Sequence, residues 1–360
     1  MKITAVVVTY NRLALLKKGI DALCKQSSLT DIIVVDNGAT DGTHEWLDEV
    51  SNHELQTSNF KLQGNKVQSS NFKLQSLTVI HQDNVGGSGG FYTGIKAAYE
   101  SGADWIWCMD DDVFPREDCL DHLLQHIDEP EVGILSPRRL LEGKVFTHEF
   151  CRFNFTNPFG SMHGEKLGNS KFKIQNSKLS SSEDCNHKVQ SSKFKVQSSS
   201  NHKVQSSKFK VQSIVGCDFE GPFISRKVVE KIGLPNKDLF IFCDDTEYCL
   251  RAHLAGFRLY YVPDALMDKH KFFSNDTWTT RNQKKKWKRY YQIRNETYLN
   301  HHYGKNWGVR YLRGLLGVIG YYIPALVTMP FTHAYSFKDL KTLWQAYKDG
   351  INERLGKHLI

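Results

Sequence analysis

Unbroken apolar runs alternate with helical spacings along the first 130 residues. "ITAVVVTY" (3–10) is a continuous β-rich run, as a central strand covered on both faces requires. Leu13, Leu16, Ile20 and Leu23 then recur on one helix face, with Asn11 placed to cap that helix. "DIIVVDNG" (31–38) and "LTVIHQDN" (77–84) read as the second and third strands, each ending in polar residues. A glycine-rich turn and a helix through "TGIKAAYES" follow. "WIWCMDD" is a fourth strand, and "PREDCLDHLLQHI" (115–127) a helix opened by proline. This rhythm predicts an α/β chain with a doubly wound, mostly parallel sheet. Ligands of such sheets bind at the carboxyl ends of the strands, where Asp36, Asn84 and Asp110 stand.

A second α/β stretch begins at "IVGCDFEGPFIS" (214–225). It continues with a helix in "RKVVEKIG", another in "DTEYCLRAHLAG" (245–256) ended by Gly256, and a strand in "FRLYYVP". The pattern divides the chain into a domain over 1–275 and a helical, basic and aromatic C-terminal region over 276–360. Two stretches break the rhythm. "SNFKLQ" occurs at 58–63 and 70–75, "SKFKVQ" at 192–197 and 207–212, and "NHKVQ" at 186–190 and 201–205. These Ser/Lys/Gln/Asn segments have little to bury, so 52–76 and 166–213 read as low-complexity insertions.

The net charge of +8 is concentrated in "RNQKKKWKRYYQIRN" (281–295). Such a run suits phosphate groups of nucleic acid, anionic lipid or a phosphorylated substrate; it also suits a solvated helix face. The eight cysteines include no CxxC pair, which removes zinc-knuckle and thiol-redox motifs. Their apolar surroundings suit reduced thiols and a cytoplasmic location. Residues 314–332, "GLLGVIGYYIPALVTMPFT", are uncharged but interrupted by Pro324 and Pro330. That favours an interfacial or re-entrant membrane contact, held to anionic lipid by the basic run upstream, over a buried helix or a true span. The expected location is the inner face of the cytoplasmic membrane.

Four constellations carry chemistry. On a strand Asp110 and Asp112 point one way and Asp111 the other. Two carboxylates on one side call for a cation between them, and Mg²⁺ or Mn²⁺ both take oxygen ligands and bridge diphosphates. Gly86, Gly87, Ser88, Gly89 and Gly90 let backbone approach a ligand, yet the string has neither GK[ST] nor GxGxxG. In "FCDDTEYCLR" (242–251), Asp244 with Glu247 forms a capping box. Asp245 is not needed for the cap and is the favoured general base, with Asp244 the alternative. His270 lies just past a strand and reads as a third ligand for the cation.

Together these pieces resemble glycosyltransferase family 2, whose nucleotide-sugar-binding fold is called GT-A. The residues carrying the likeness are "VVVTYNR" (6–12), "IIVVDNGATDGT" (32–43), "NVGGSGGF" (84–91), "MDDD" (109–112), "DDTEYCLR" (244–251), His270 and "YYQIRN" (290–295). In flavour they are closest to bacterial rhamnosyl- and galactofuranosyltransferases. The resemblance implies that Thr9, Tyr10, Asn11 and Arg12 line a nucleotide pocket. It gives the pyrimidine base to Asp36 with Asn37 beside it, and the diphosphate and sugar to Asn84, Gly86, Gly87, Gly89 and Gly90. Asp110, Asp112 and His270 would hold Mn²⁺ or Mg²⁺, Asp111 would face the ribose or donor sugar, and Asp245 would be the base. Phe219, Glu220 and Gly221 would border the acceptor. The implied reaction is inverting transfer from a UDP- or dTDP-linked sugar to a hydroxyl of a glycan or lipid-linked acceptor in cell-surface polysaccharide synthesis, with no nucleic-acid partner. A sugar-nucleotide nucleotidyltransferase and a non-catalytic, repeat-bearing binding protein are the rival readings. An oxidoreductase is disfavoured by the missing dinucleotide fingerprint.

Overall fold

The computed structural model describes residues 1–54, 76–168, 211–272, 278–332 and 335–358. The repeat copies at 58–63, 70–75, 186–190, 192–197 and 201–205 lie outside the described residues. The N-terminal half runs β1 (Ile3–Thr9), α1 (Leu13–Cys24), β2 (Asp31–Asp36), α2 (Thr43–Glu54), β3 (Ser76–His81), α3 (Gly86–Glu100) and β4 (Trp105–Asp110). Then come β5 (Val113–Pro115), α4 (Cys119–Leu124), β6 (Val132–Leu141), β7 (Lys144–Phe146), β8 (Phe150–Phe153) and β9 (His163–Lys166). The remainder is β10 (Gln212–Ile214), β11 (Phe223–Ser225), α5 (Arg226–Ile232), α6 (Asp244–Leu254), β12 (Arg258–Lys269), α7 (Trp278–Tyr303), α8 (Gly314–Thr332) and α9 (Phe337–Ile351).

The main sheet has the order β10-β12-β6-β11-β4-β1-β2-β3. Strands β3, β2, β1 and β4 are mutually parallel, and β6 and β12 form a second parallel pair. Antiparallel β11 joins the two groups by pairing with β4 and β6. The sheet is thus mixed and mostly parallel, with helices on both faces. All seven residues of β1 are buried, because alternate residues serve opposite cores. Ile3, Ala5 and Val7 meet Leu16, Ile20 and Leu23 of α1. Val6 and Val8 meet Phe91, Ile95 and Ala98 of α3. Each fully buried aliphatic side chain contributes about 1.5–3 kcal/mol relative to exposure.

Four local expectations are corrected. The N-terminal residue of α1 is capped across the chain: Leu13 N–H donates to Asp41 Oδ2 at 3.0 Å. Asn11, with φ 54, instead accepts from the Thr40 N–H at 2.6 Å. Pro115 ends β5, and α4 begins only at Cys119. The glycines at 86–90 open α3 rather than forming a separate turn. Asp244 is the first residue of α6, behind a left-handed Cys243, and Glu247 pairs with Arg251 at 2.7 Å instead of closing a capping box.

The glycines of α3 serve packing. A Cβ on Gly90 would stand 2.5 Å from Val8 Cγ1, and one on Gly94 2.2 Å from Val6 Cγ1. The helix therefore lies directly against β1. At the other end of the chain, Asn295 of α7 donates to the carbonyls of Leu239, Ile241 and Phe242, each at 2.9 Å. That clamp holds Phe240, Phe242 and Cys243 at φ 66, 69 and 65, a conformation that needs over-determination by its surroundings. Tyr290 and Tyr291 are core residues here rather than surface aromatics, 3% and 2% exposed.

Candidate active site

The carboxyl ends of β1, β2 and β4 open into a cavity of about 1080 Å³. Its floor includes Thr9, Tyr10, Arg12, Asn37, Asn84, Gly86, Gly87, Asp110 and Asp111. The facing side carries Phe219, Glu220, Asp244 and Asp245. The C-terminal region closes it with Trp287, Lys288, Tyr291, Gln292, Lys357 and His358.

The acids at the end of β4 and in the turn after it point to different sides. Asp111 turns toward β1, accepting from Thr9 Oγ1 at 2.8 Å and from Arg12 Nη1 at 2.8 Å. Burial raises its carboxyl above the ordinary range despite Arg12 and Thr9. Asp110 and Asp112 turn the other way and meet Glu220; the three offer one oxygen each, all within 4.8 Å of one another. Burial, reinforced by Asp112, Glu220 and Asp111, raises Asp110 well above its usual value, while Lys269 opposes this. Lys269 Nζ lies 3.2 Å from Asp112 and 2.7 Å from Glu220. An all-oxygen set of that kind fits a hard divalent cation.

His270 is not in this group, and the third place belongs to Glu220, which the sequence assigned to the acceptor side. The His270 backbone N–H donates to the Asp112 carbonyl at 2.9 Å, while its exposed ring packs edge-on against Phe272 at 4.6 Å.

Behind Glu220 stands a network absent from the sequence reading. Arg139, 1% exposed, bridges Glu149 at 2.9 Å, Asp218 at 2.8 Å and Glu220 at 2.5 Å. His148 adds a contact to Asp218 at 2.7 Å. Burial alone would raise Asp218, but Arg139 and His148 overcome it and hold the group well below the carboxylate range. Across the cavity, burial followed by Asp218 and Asp244 raises Asp245 well above its usual value. Burial also lifts Asp244 to about 6. These are environments that make a carboxyl a better proton acceptor once ionised.

Asp36 does not line the cavity. It is 1% exposed, with Oδ1 accepting from the Ala39 N–H at 2.9 Å and Oδ2 against His44 and His81 at 3.0 and 2.9 Å. Asn37 does face it, held by Gln82, Val85 and Gly86. Gly86 and Gly87 reach the cavity, whereas Gly89 and Gly90 are wedged against Val85 and Val8. Asn11, Gly221 and Asp112 stand outside the lining.

Two family models match the chain: "Glycosyl transferase family 2" over residues 4–179 and "Glycosyl transferase family group 2" over 191–346. The chain belongs to glycosyltransferase family 2. Among curated relatives of this family 2 chain is the galactofuranosyltransferase GlfT1 of Mycolicibacterium smegmatis, 35% identical over 116 residues, or 32% of this chain and 31% of that one. GlfT1 of Mycobacterium tuberculosis (strain H37Rv) is 35% identical over 109 residues, 30% and 29% of the two chains. The matches therefore span less than a third of those relatives' length. Among solved structures, GalNAc-T7 with UDP, GalNAc and Mn²⁺ aligns at a TM-score of 0.51 and 11% identity, covering 98% of this chain and 56% of that one. The likeness is one of fold, the GT-A arrangement. The mannosyltransferase PcManGT from Pyrobaculum calidifontis, in complex with GDP-Man and Mn²⁺, aligns at 0.46 with 12% identity, over 98% and 88% of the chains.

Several cavity residues of this family 2 protein carried no sequence signal. Asp218 stands next to Phe219 and Glu220 without having been singled out, and His148 lies in the loop between β7 and β8; Arg139, on β6 behind the cavity, likewise gave no signal. Lys288 could have been found within the basic run. Burial, then Arg12 and Lys285, depresses its ammonium, as expected where positive charge awaits an anion.

Proposed function

We propose that this chain is an inverting, metal-dependent transferase that moves a sugar from a UDP- or dTDP-linked donor to a hydroxyl of a glycan or lipid-linked acceptor. The observation that carries this reading is the carboxylate group of Asp110, Asp112 and Glu220, two of whose members, Asp110 and Glu220, line the cavity that also presents Asp244 and Asp245. Similarity to GlfT1 supports UDP-galactofuranose as the first donor to test, and cell-surface polysaccharide as the product class.

In this reading Asp110, Asp112 and Glu220 hold Mn²⁺ or Mg²⁺, with His270 adjacent. A dication held by them would supply the positive charge that offsets the leaving diphosphate. Tyr10 and Asn37 border the base, and Asp111, fixed by Arg12 and Thr9, faces the ribose. Arg12 and Lys288 attract the phosphates, and Gly86 and Gly87 allow backbone contact. Asp245 takes the proton of the acceptor hydroxyl as its oxygen bonds to the anomeric carbon. The bond from that carbon to the diphosphate breaks, so nucleoside diphosphate departs and the configuration inverts. Phe219 and Glu220 border the acceptor. Domain bounds of 1–275 and 276–360 are retained, with the second part completing the donor pocket.

The same reading puts the protein at the inner face of the cytoplasmic membrane. Gly308–Phe331 is long and apolar enough to cross a membrane, with mean hydropathy 1.5 and 17% of its window buried. Leu316, Ile319, Ile323, Leu326, Val327 and Phe331 are exposed along it, an apolar stripe suited to lying in a headgroup layer. Binding to anionic vesicles that Val327→Glu abolishes would support this placement.

A panel of nucleotide sugars with Mn²⁺ tests the chemistry. The expected result is acceptor-dependent release of nucleoside diphosphate and a product of inverted anomeric configuration by NMR. Pyrophosphate release from a nucleoside triphosphate, without sugar transfer, would overturn the reading.

A further inference from the structure

A second set of ligand-type side chains stands at the sheet edge, outside the cavity. Asp36 and His81 end the adjacent strands β2 and β3 in direct register. His44 and Asp48 lie one turn apart on α2. Asp36 Oδ2 is 3.0 Å from His44 Nδ1 and 2.9 Å from His81 Nδ1, and the three atoms fall within 4.8 Å of one another. On the far side of both rings sits one further carboxylate. Asp48 Oδ1 is 3.0 Å from His81 Nε2, and its Oδ2 is 3.7 Å from His44 Nε2.

Two ring nitrogens converge on one carboxylate oxygen, and a single cation at the point the Nδ1 atoms share would engage all three. Asp36 is 1% exposed and its other oxygen is already used by the Ala39 N–H. The buried carboxylate thus turns its remaining oxygen to the point where the rings converge. A carboxylate behind a metal-bound histidine is a common device for fixing the tautomer.

We propose that Asp36 Oδ2, His44 Nδ1 and His81 Nδ1 bind a borderline dication of the Zn²⁺ class, with Asp48 as the positioning carboxylate. Two imidazoles select such an ion over Mg²⁺ or Mn²⁺. Tetrahedral Zn²⁺ with bonds of about 2.0–2.1 Å puts its ligand atoms roughly 3.3 Å apart, so the group opens by a few tenths of an ångström. Both rings are accessible, 48% and 28% exposed, which leaves a fourth position for water. The site joins α2 to β3 across the connection 55–75. Tying the ends of a long connection offsets part of its closure entropy. The inference is independent of the transferase reading.

The test uses the full chain, stripped of metal and held in excess Mg²⁺ to saturate the all-oxygen group. Titration with Co²⁺ is expected to give one equivalent of visible d–d absorption, displaced by Zn²⁺ and insensitive to Mg²⁺. Zn²⁺ is expected to raise the melting temperature. His44→Ala with His81→Ala should remove the Co²⁺ band, and Asp48→Asn should weaken Zn²⁺ by roughly ten- to a hundredfold. Absence of the band and of the thermal shift in the unsubstituted protein would overturn the proposal, as would an unchanged titration in the double variant. Should that variant not fold, diethylpyrocarbonate labelling of His44 and His81 in the unsubstituted chain decides: Zn²⁺ protection supports the site, and equal labelling with and without Zn²⁺ sinks it.

Discussion

The molecule carries two clusters of ligand-type side chains at strand ends of one parallel group, separated by β1, and they are chemically opposite. The Asp110, Asp112 and Glu220 group is all oxygen, sits at a cavity and is flanked by Lys269 and Arg12. The Asp36, His44 and His81 group mixes nitrogen with oxygen, sits at the sheet edge and is backed by a carboxylate instead of a cation. A site meant to release its ion with a leaving diphosphate suits hard, loosely held oxygen ligands and mobile lysine charge. A site meant to tie elements together suits imidazoles locked from behind. Identical strand-end positions thus diverge through what the following helix and loop supply.

The largest expected effects lie at the cavity. Asp245→Asn should lower kcat by about 10²–10⁴-fold, the usual worth of a general base, with donor affinity within about twofold by calorimetry. Full activity in that variant would move the base elsewhere. Asp110→Asn should cost on the order of a thousandfold, from several kcal/mol of lost charge stabilisation, and should remove Mn²⁺ stimulation. A variant still stimulated by Mn²⁺ would break the contrast between the two groups. The corresponding change in the other group, His81→Ala, should leave Mn²⁺ stimulation in place.

The pH profile gives a smaller effect with a definite sign. Burial raises Asp245 well above its usual value and Asp244 to about 6. A raised carboxyl is ionised, and so able to accept a proton, only above its shifted pKa. kcat should therefore begin to fall, as pH drops, well above the ordinary aspartate value of about 4. A profile flat down to pH 5 would contradict that environment. Smallest are the packing effects. Gly90→Ala should destabilise by about 1–3 kcal/mol through overpacking against Val8, read as a lower denaturation midpoint. Gly87→Ala meets nothing within 4 Å and should spare stability while weakening donor binding.

The parallel half was legible because its signals are local. An unbroken run such as "ITAVVVT" names a covered strand, and Asp110 and Asp112 fall on one side by alternation alone. Glu220 was named for the wrong role and Arg139 not at all, since a loop residue before β11 and a residue on β6 meet only once the distant strands are assembled. Asp36 misled for the same reason. Its strand-end position is the expected one, but His44, eight residues on, and His81, on the next strand, turn its carboxylate away from the cavity. The glycine string misled by chemistry: three of its members meet protein, and close packing reads in sequence like space for a ligand. His270 was placed near the right strand end, and its backbone does meet Asp112, but the ring turns to Phe272.

The Asn295 clamp has a mechanical consequence. The interior of α7 grips the three carbonyls that shape the pocket lip, and the helix also packs on α8, the element with the apolar stripe. Motion of that outer helix has a short, stiff route to Phe240 and Gly86. In the proposed membrane placement, seating of α8 and grip on the donor would share one beam, and a rigid spacer inserted between α7 and α8 would separate them.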